Sequence, residues 1–171
     1  VWAYSAGVAG TYQDVLAGDA NVSLINVAAA NAPAVLAFNN AKGLFSDENL
    51  RQAVSYALNY EEFKTYFGSA YAEIPNRGFV PSTTVGYKET EKLTTDASKA
   101  DAYMKAAGYA EKNADGFYVN ADGQVAAFTL TVNAAKETHV GYTEIVKTQL
   151  ESFGIQVNLD TVDKDAYNAK T

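Results

Sequence analysis

The order of apolar and polar positions divides the chain into helical and extended segments. Thr11 to Ala17 places Tyr12, Val15 and Leu16 on one helical face, and Gly18 is expected to close that helix in the left-handed conformation. Val22 to Val27 and Ala34 to Phe38 are near-continuous apolar runs, the pattern of strands covered on both faces. Pro33 stands just before the second run, where it removes no interior ladder bond. Ser46 is expected to cap a helix whose apolar face is Leu50, Val54, Ala57 and Leu58. Asn59 and Glu62 have the spacing of a capping box, opening a helix that carries Phe63, Tyr66 and Phe67 and ends at Gly68.

No period survives from Ser69 to Thr94, a stretch holding Pro75, Gly78, Pro81 and Gly86. Structureless stretches of that length inside a compact domain tend to be functional. Thr95 or Asp96 then caps a helix with the stripe Ala100, Tyr103, Met104 and Ala107, stopped by Gly108. Phe117 to Asn120 and Ala126 to Val132 read as the strands of a hairpin around Ala121-Asp122-Gly123. Two Asn-Ala-Asp-Gly strings, at Asn113 and Asn120, read as turn chemistry used twice around that hairpin. A fourth long helix runs from about Thr138 to Phe153, with Tyr142, Ile145, Val146, Leu150 and Phe153 inward and Gly154 at its end. Ile155, Val157 and Leu159 alternate as a strand, and Asp163 looks like the cap of one more helix. Helices alternating with strands predict an α/β fold, a mixed sheet flanked by helices.

Composition narrows the function. The chain has 171 residues and 48% hydrophobic positions, enough for a core of its own. Its net charge of −7 and lack of any basic cluster argue against nucleic acid and anionic membranes as partners. With no cysteine, thiolate metal sites, disulfides and cysteine nucleophiles are excluded, and one histidine, His139, excludes a histidine-rich metal site. His139 falls at a helix start, where a cation meets the unfavourable end of the dipole. Glu111, Asn113, Asp115, Gly116 and Asp122 approach a calcium-loop spacing, but the last should be a glutamate, and such clusters are far more often turns. No phosphate loop, nucleophile elbow or His-Glu-x-x-His string occurs. The acid pairs Asp47/Glu48 and Glu61/Glu62 lie at helix starts, where they complement the dipole without any catalytic role. No cofactor is implied.

From Phe38 to Asn59 the chain resembles a block of the oligopeptide/dipeptide/nickel-type solute-binding proteins of ABC importers. Asn39 and Asn40 follow an apolar run, Phe45-Ser46-Asp47 makes a turn, and Arg51-x-Ala53-x-x-x-Ala57-Leu58 continues as a helix. Leu44 stands where the family often has proline. Downstream, Thr95-Asp96-Ala97-Ser98-Lys99-Ala100 through Ala107-Gly108-Tyr109 resembles the family's aspartate-proline-x-lysine-alanine helix, with Ala97 replacing proline. The Asp-Gly hairpin and Gln149-Leu150 through Gly154-Ile155-Gln156-Val157 complete the series. Upstream, Gly18-Asp19-Ala20-Asn21 is similar to the family's entry, with asparagine for aspartate.

The resemblance implies a non-enzymatic binding protein of two lobes closing on a ligand. Residues 1–171 would be a single α/β lobe, most of the second (C-terminal) one, truncated at both ends from a longer chain. It implies an extracytoplasmic setting, periplasm or cell-surface lipoprotein, and ABC permease subunits as partners. Membrane association would come only through a lipid anchor outside this segment. The implied ligand is a peptide. Nickel chelates, haem and sugars share the scaffold, and a surface interaction module or a carboxylate hydrolase is the rival outside it.

The loop Ser69–Gly86 is the expected ligand-facing segment. Tyr71, Asn76, Arg77 and Phe79, with Ile74, Pro81 and Tyr87, mix aromatic surface with a guanidinium able to hold a carboxylate. Asn39 and Asn40 end an apolar run, and clefts in open α/β sheets lie at strand ends. Turn capping and a solvated surface loop are the plainer readings of the same residues.

Overall fold

Parallel strands need a crossover, and the last third of the chain supplies one. In the computed structural model, β3 (Ala127–Asn133) leads into α5 (Glu137–Phe153), which returns the chain to β4 (Gln156–Val162). The strands pair in parallel, Ala127 opposite Gln156 through Asn133 opposite Val162. α5 forms because Thr143, Val146 and Leu150 present one buried stripe. It ends at Gly154, whose φ of 119° lets the chain reverse while its N–H still bonds Leu150. Lys147 and Glu151 pair with each other and bond the Val157 carbonyl and N–H, tying the last turns of α5 to the start of β4.

The structure describes residues 10–25, 34–67, 72–78 and 80–171. They fall into two compact units, one of residues 10–25, 34–35, 60–67, 72–78 and 80–93 and one of residues 36–59 and 94–171. The second unit also holds a short 3-10 turn (Leu44–Ser46), α2 (Glu48–Ala57), α4 (Ala97–Ala106), β1 (Glu111–Lys112), β2 (Tyr118–Val119) and α6 (Lys164–Lys170). Its core is Leu50, Ala53, Val54, Ala100, Met104, Leu150, Ile155 and Val157, all nearly sealed from solvent. Phe45 anchors one side, its ring 4.5 Å from Phe38 and 4.8 Å from Phe128. α2 packs on α4 through stacked Tyr56 and Tyr103, 5.8 Å apart. The Thr95 hydroxyl donates to the Leu58 carbonyl at 2.7 Å and the Asp96 N–H to the Tyr56 carbonyl at 2.8 Å, satisfying groups that the end of α2 leaves open. In the first unit, α1 (Gly10–Ala17) packs with α3 (Tyr60–Phe67).

The caps of α4 and α6 stand where expected: Asp96 accepts from Lys99 N at 3.0 Å and Asp163 from Ala166 N at 2.9 Å. Gly108 takes a φ of 86° after α4. Other expectations are corrected. Asp47, not Ser46, caps α2, accepting from Asn49 N at 2.7 Å, because Ser46 is held in the 3-10 turn with its hydroxyl on the Gly43 carbonyl. The buried face of α2 includes Ala53 and Tyr56, while Ala57 is only half-buried. Gly18 is not left-handed. Its N–H bonds the Asp14 carbonyl and that of Asp19 the Leu16 carbonyl, so the chain leaves α1 through an ordinary turn. α3 buries none of its residues, and Phe67 is 58% exposed. Gly68 lies outside the described residues.

Residues 22–25 and 34–38 form no strand, and among the described residues none pairs with either run; Asn26 and Val27 lie outside them. The described strands make not one mixed sheet but two two-stranded sheets, β1–β2 antiparallel and β3–β4 parallel. β2 pairs with β1, and toward β3 only a single bridge, Val119 to Val125, remains of the expected hairpin. α5 places β4 beside β3 along its whole length, so β3 finds its register there. The repeated turn chemistry holds in detail. The Asn113 side chain accepts from Asp115 N and Phe117 N, and Asn120 accepts from Asp122 N and Gln124 N.

Candidate functional site

In the first unit, the irregular segment after α3 is pinched at its base. Asn76 bridges Lys92, Arg77 N donates to the Glu91 carbonyl at 2.6 Å, and Thr90 Oγ1 bonds the Arg77 carbonyl. Between these points the chain turns twice, Thr84 N bonding Pro81 and Tyr87 N bonding Thr84, and leaves Val85 fully exposed. Asn76 and Arg77 are thus adjacent at the mouth of a surface loop. The Asn76 amide donates to the Tyr87 hydroxyl. The half-buried Arg77 guanidinium lies 3.5 Å from the Glu91 carboxylate, itself mostly exposed. A ligand carboxylate reaching Arg77 meets Glu91 as its competitor.

Tyr71 and Phe79 lie outside the described residues. Asn39 and Asn40 belong to the second unit and are exposed. The Asn39 side chain accepts from Ala41 N at 3.1 Å, the bond of an Asx turn.

The second unit holds a groove of about 540 Å³ that the local pattern does not reveal. It lies where the start of α2, the end of α4 and the Asn120–Gln124 turn converge. Leu44, Leu50 and Val125 give it apolar wall, and Asp47, Tyr109 and Gln124 give it polar atoms. Burial first, and the Asp47 carboxylate second, raise the Tyr109 hydroxyl above the ordinary tyrosine range. The Asn120 amide donates to Gln124 Oε1 at 3.0 Å, fixing that side chain at the rim. Tyr109 is visible in the sequence only as the end of the Ala-Gly-Tyr string, 62 positions after Asp47 (109 − 47). Their approach depends on the packing of α2 against α4.

Elsewhere polar groups are spent on structure. Tyr118 donates to Asp101 at 2.9 Å, and Lys105 pairs with the same carboxylate at 2.7 Å. Asp160 accepts from Thr131 and Lys170. Those partners hold both carboxyls below the usual carboxylate range, Lys105 foremost for Asp101 and Lys170 for Asp160. The calcium-like spacing is used for turns: the Asn113 side-chain oxygen is taken by two backbone N–H groups. Among the described residues no three histidine, aspartate or glutamate side chains cluster to hold a metal. His139 is exposed on the first turn of α5.

Comparison with known proteins agrees with this fold. The model of the bacterial extracellular solute-binding proteins, family 5, matches residues 3–171. The oligopeptide-binding protein AppA of Bacillus subtilis is 25% identical over 136 residues, which are 77% of this chain and 24% of that protein. Its structure with a nonapeptide superposes with a TM-score of 0.67, covering 77% of this chain and 26% of the AppA chain. NikZ of Campylobacter jejuni, solved with Ni(L-His), reaches a TM-score of 0.72 at 19% identity over 92% of this chain and 31% of its own. The chain therefore spans about a quarter of the length of the curated relative it matches.

Proposed function

The chain belongs to the bacterial extracellular solute-binding proteins of family 5, and from that premise we propose that it is part of the capture component of an ABC importer for oligopeptides or dipeptides. Members of this family are transport components and not enzymes. The family is extracellular by its description, and the reading places this protein outside the cytoplasmic membrane, as a periplasmic protein or a lipid-anchored one. It hands its solute to permease subunits. Residues 1–171 are part of one lobe of a two-lobed protein that encloses its ligand by closure.

The observation that carries the peptide assignment is the kinship to AppA, an oligopeptide-binding protein by name, over 77% of this chain. The contacts assigned to the ligand are Tyr71, Asn76, Arg77 and Phe79 of the long loop, with Asn39 and Asn40. In support, Asn76 and Arg77 stand side by side at the loop's base, and Glu91 keeps the guanidinium paired until a ligand carboxylate replaces it. The likeness to NikZ makes a nickel chelate the second reading, although at 19% identity it carries the fold alone.

Thermal unfolding of the full-length protein carrying this chain separates the two. A mixed tripeptide-to-nonapeptide pool should raise its melting temperature by several degrees, as binding to the native state alone requires. A rise with nickel–histidine and none with peptides would replace the peptide reading with the chelate.

A further inference from the structure

The backbone at the base of the loop fixes which charge faces Arg77. Arg77 N donates to the Glu91 carbonyl, Leu93 N donates to the Pro75 carbonyl at 3.5 Å, and Asn76 bridges Lys92 between these two bonds. Antiparallel pairing of Asn76 with Lys92 sets the next residue, Arg77, opposite Glu91, and side chains directly opposite in such a ribbon meet on one face. Thr90 Oγ1 on the Arg77 carbonyl holds the same register. The 3.5 Å between Arg77 Nε and Glu91 Oε2 is thus set by main-chain bonds rather than by two long side chains finding each other.

The two partners differ in exposure. The Arg77 side chain is 23% exposed and that of Glu91 63%. A carboxylate arriving from solution at this guanidinium shares it with Glu91 and is repelled by it. A neutral group arriving there meets no such repulsion. The effect is bounded, because ion pairs with this much solvent around them change an equilibrium by no more than about fivefold.

We propose that Glu91 is a specificity-determining residue: it weakens ligands that present a free carboxylate to Arg77 and so narrows the advantage of a peptide with a free C-terminus over the same peptide amidated. The inference rests on the reading of Arg77 as a ligand contact.

The test is calorimetric titration of the full-length protein with pentaalanine as the free acid and as the C-terminal amide. The parent is compared with Glu91→Gln and Arg77→Gln. Glu91→Gln keeps the shape of the side chain and the main-chain bonds, so circular dichroism and melting temperature should match the parent. The proposal expects Glu91→Gln to tighten the acid by about two- to fivefold and to leave the amide unchanged, and Arg77→Gln to bring acid and amide to equal affinity. An acid-to-amide ratio that Arg77→Gln does not move would remove Arg77 from the ligand and overturn the inference with it. A ratio that Arg77→Gln collapses and Glu91→Gln leaves alone would overturn the role of Glu91 and spare that of Arg77. Equal weakening of both forms by Glu91→Gln would make Glu91 a structural prop only, and binding of neither form by the parent would overturn the peptide reading and this inference together.

Discussion

Tyr118 donates its hydroxyl to Asp101 at 2.9 Å, fastening β2 to α4. Tyr118 is 4% exposed and its ring lies 5.3 Å from that of Phe153, so one side chain links β2, α4 and α5. Lys112 completes the junction, its ammonium 4.4 Å above the Tyr118 ring and 2.6 Å from the Phe153 carbonyl.

Tyr118→Phe removes the bond but keeps the packing, and should lower stability by about 1 kcal/mol in urea titration. It should also change the alkaline limb. Burial first, and the bond to Asp101 second, raise the Tyr118 hydroxyl far above its ordinary value. A raised pKa means stability intact below pH of about 10, where the unfolded tyrosine ionises, and lost as pH climbs beyond it. The parent's melting temperature should therefore fall more steeply above that pH than the variant's.

The opposite sign holds for Asp101. Lys105 and then Tyr118 depress its pKa, so its contribution is complete above the unfolded carboxylate value of about 3.9 and disappears as pH falls through the folded one. Asp101→Asn should flatten the acid limb of the melting curve below pH of about 4 and leave the neutral region nearly unchanged, because the Lys105 pair is largely solvated. Melting temperatures from pH 2 to 7 test this.

Gly154 and Gly108 predict a contrast. Both have positive φ, 119° and 86°. A Cβ on Gly108 meets nothing within 4 Å, whereas on Gly154 it would sit 2.9 Å from both the Gly116 carbonyl oxygen and Lys112 Cε. Gly108→Ala should cost about 1 kcal/mol, the backbone conformation alone. Gly154→Ala should cost about 2–4 kcal/mol, since the obstructing Gly116 oxygen is backbone and yields poorly. Equal losses in denaturant titration would refute the clash.

Ser46 and Asp47 separate what can be read from local sequence and what cannot. Both residue types cap helices, and they are adjacent; the 3-10 turn through Leu44–Ser46 decides for Asp47. Asp47→Ala should cost about 1 kcal/mol and Ser46→Ala less than about half of that. The same division runs through the fold. Signals that act within a few residues were legible: the Asp96 and Asp163 caps, the end of α5 at Gly154, and the Asx turns of Asn113 and Asn120, whereas of the expected α5 stripe only Val146 and Leu150 are buried, Tyr142, Ile145 and Phe153 being half-buried and Thr143 buried in their place. Signals that need a distant partner were not. Alternation in β3 shows which side chains share a face but not that β4, beyond a 17-residue helix, is the neighbour. The apolar runs at 22–25 and 34–38 favour extension, yet a strand exists only with a ladder beside it. The groove was invisible for a related reason, since Asp47, Tyr109 and Gln124 come from three segments joined only by the packing of α2, α4 and the turn. In the loop, proline and glycine spacing marked irregular chain correctly, but the Arg77–Glu91 pair at its base has no local signature.

The central claim is that this chain belongs to a protein that captures peptides, and native mass spectrometry of the full-length protein, purified gently from a rich-medium host, tests it most directly. The account predicts a ladder of extra masses matching mixed short peptides, which vanishes after partial unfolding and refolding and returns when a peptide pool is added. A bare mass unmoved by that pool, or one discrete adduct that is not a peptide, would contradict it.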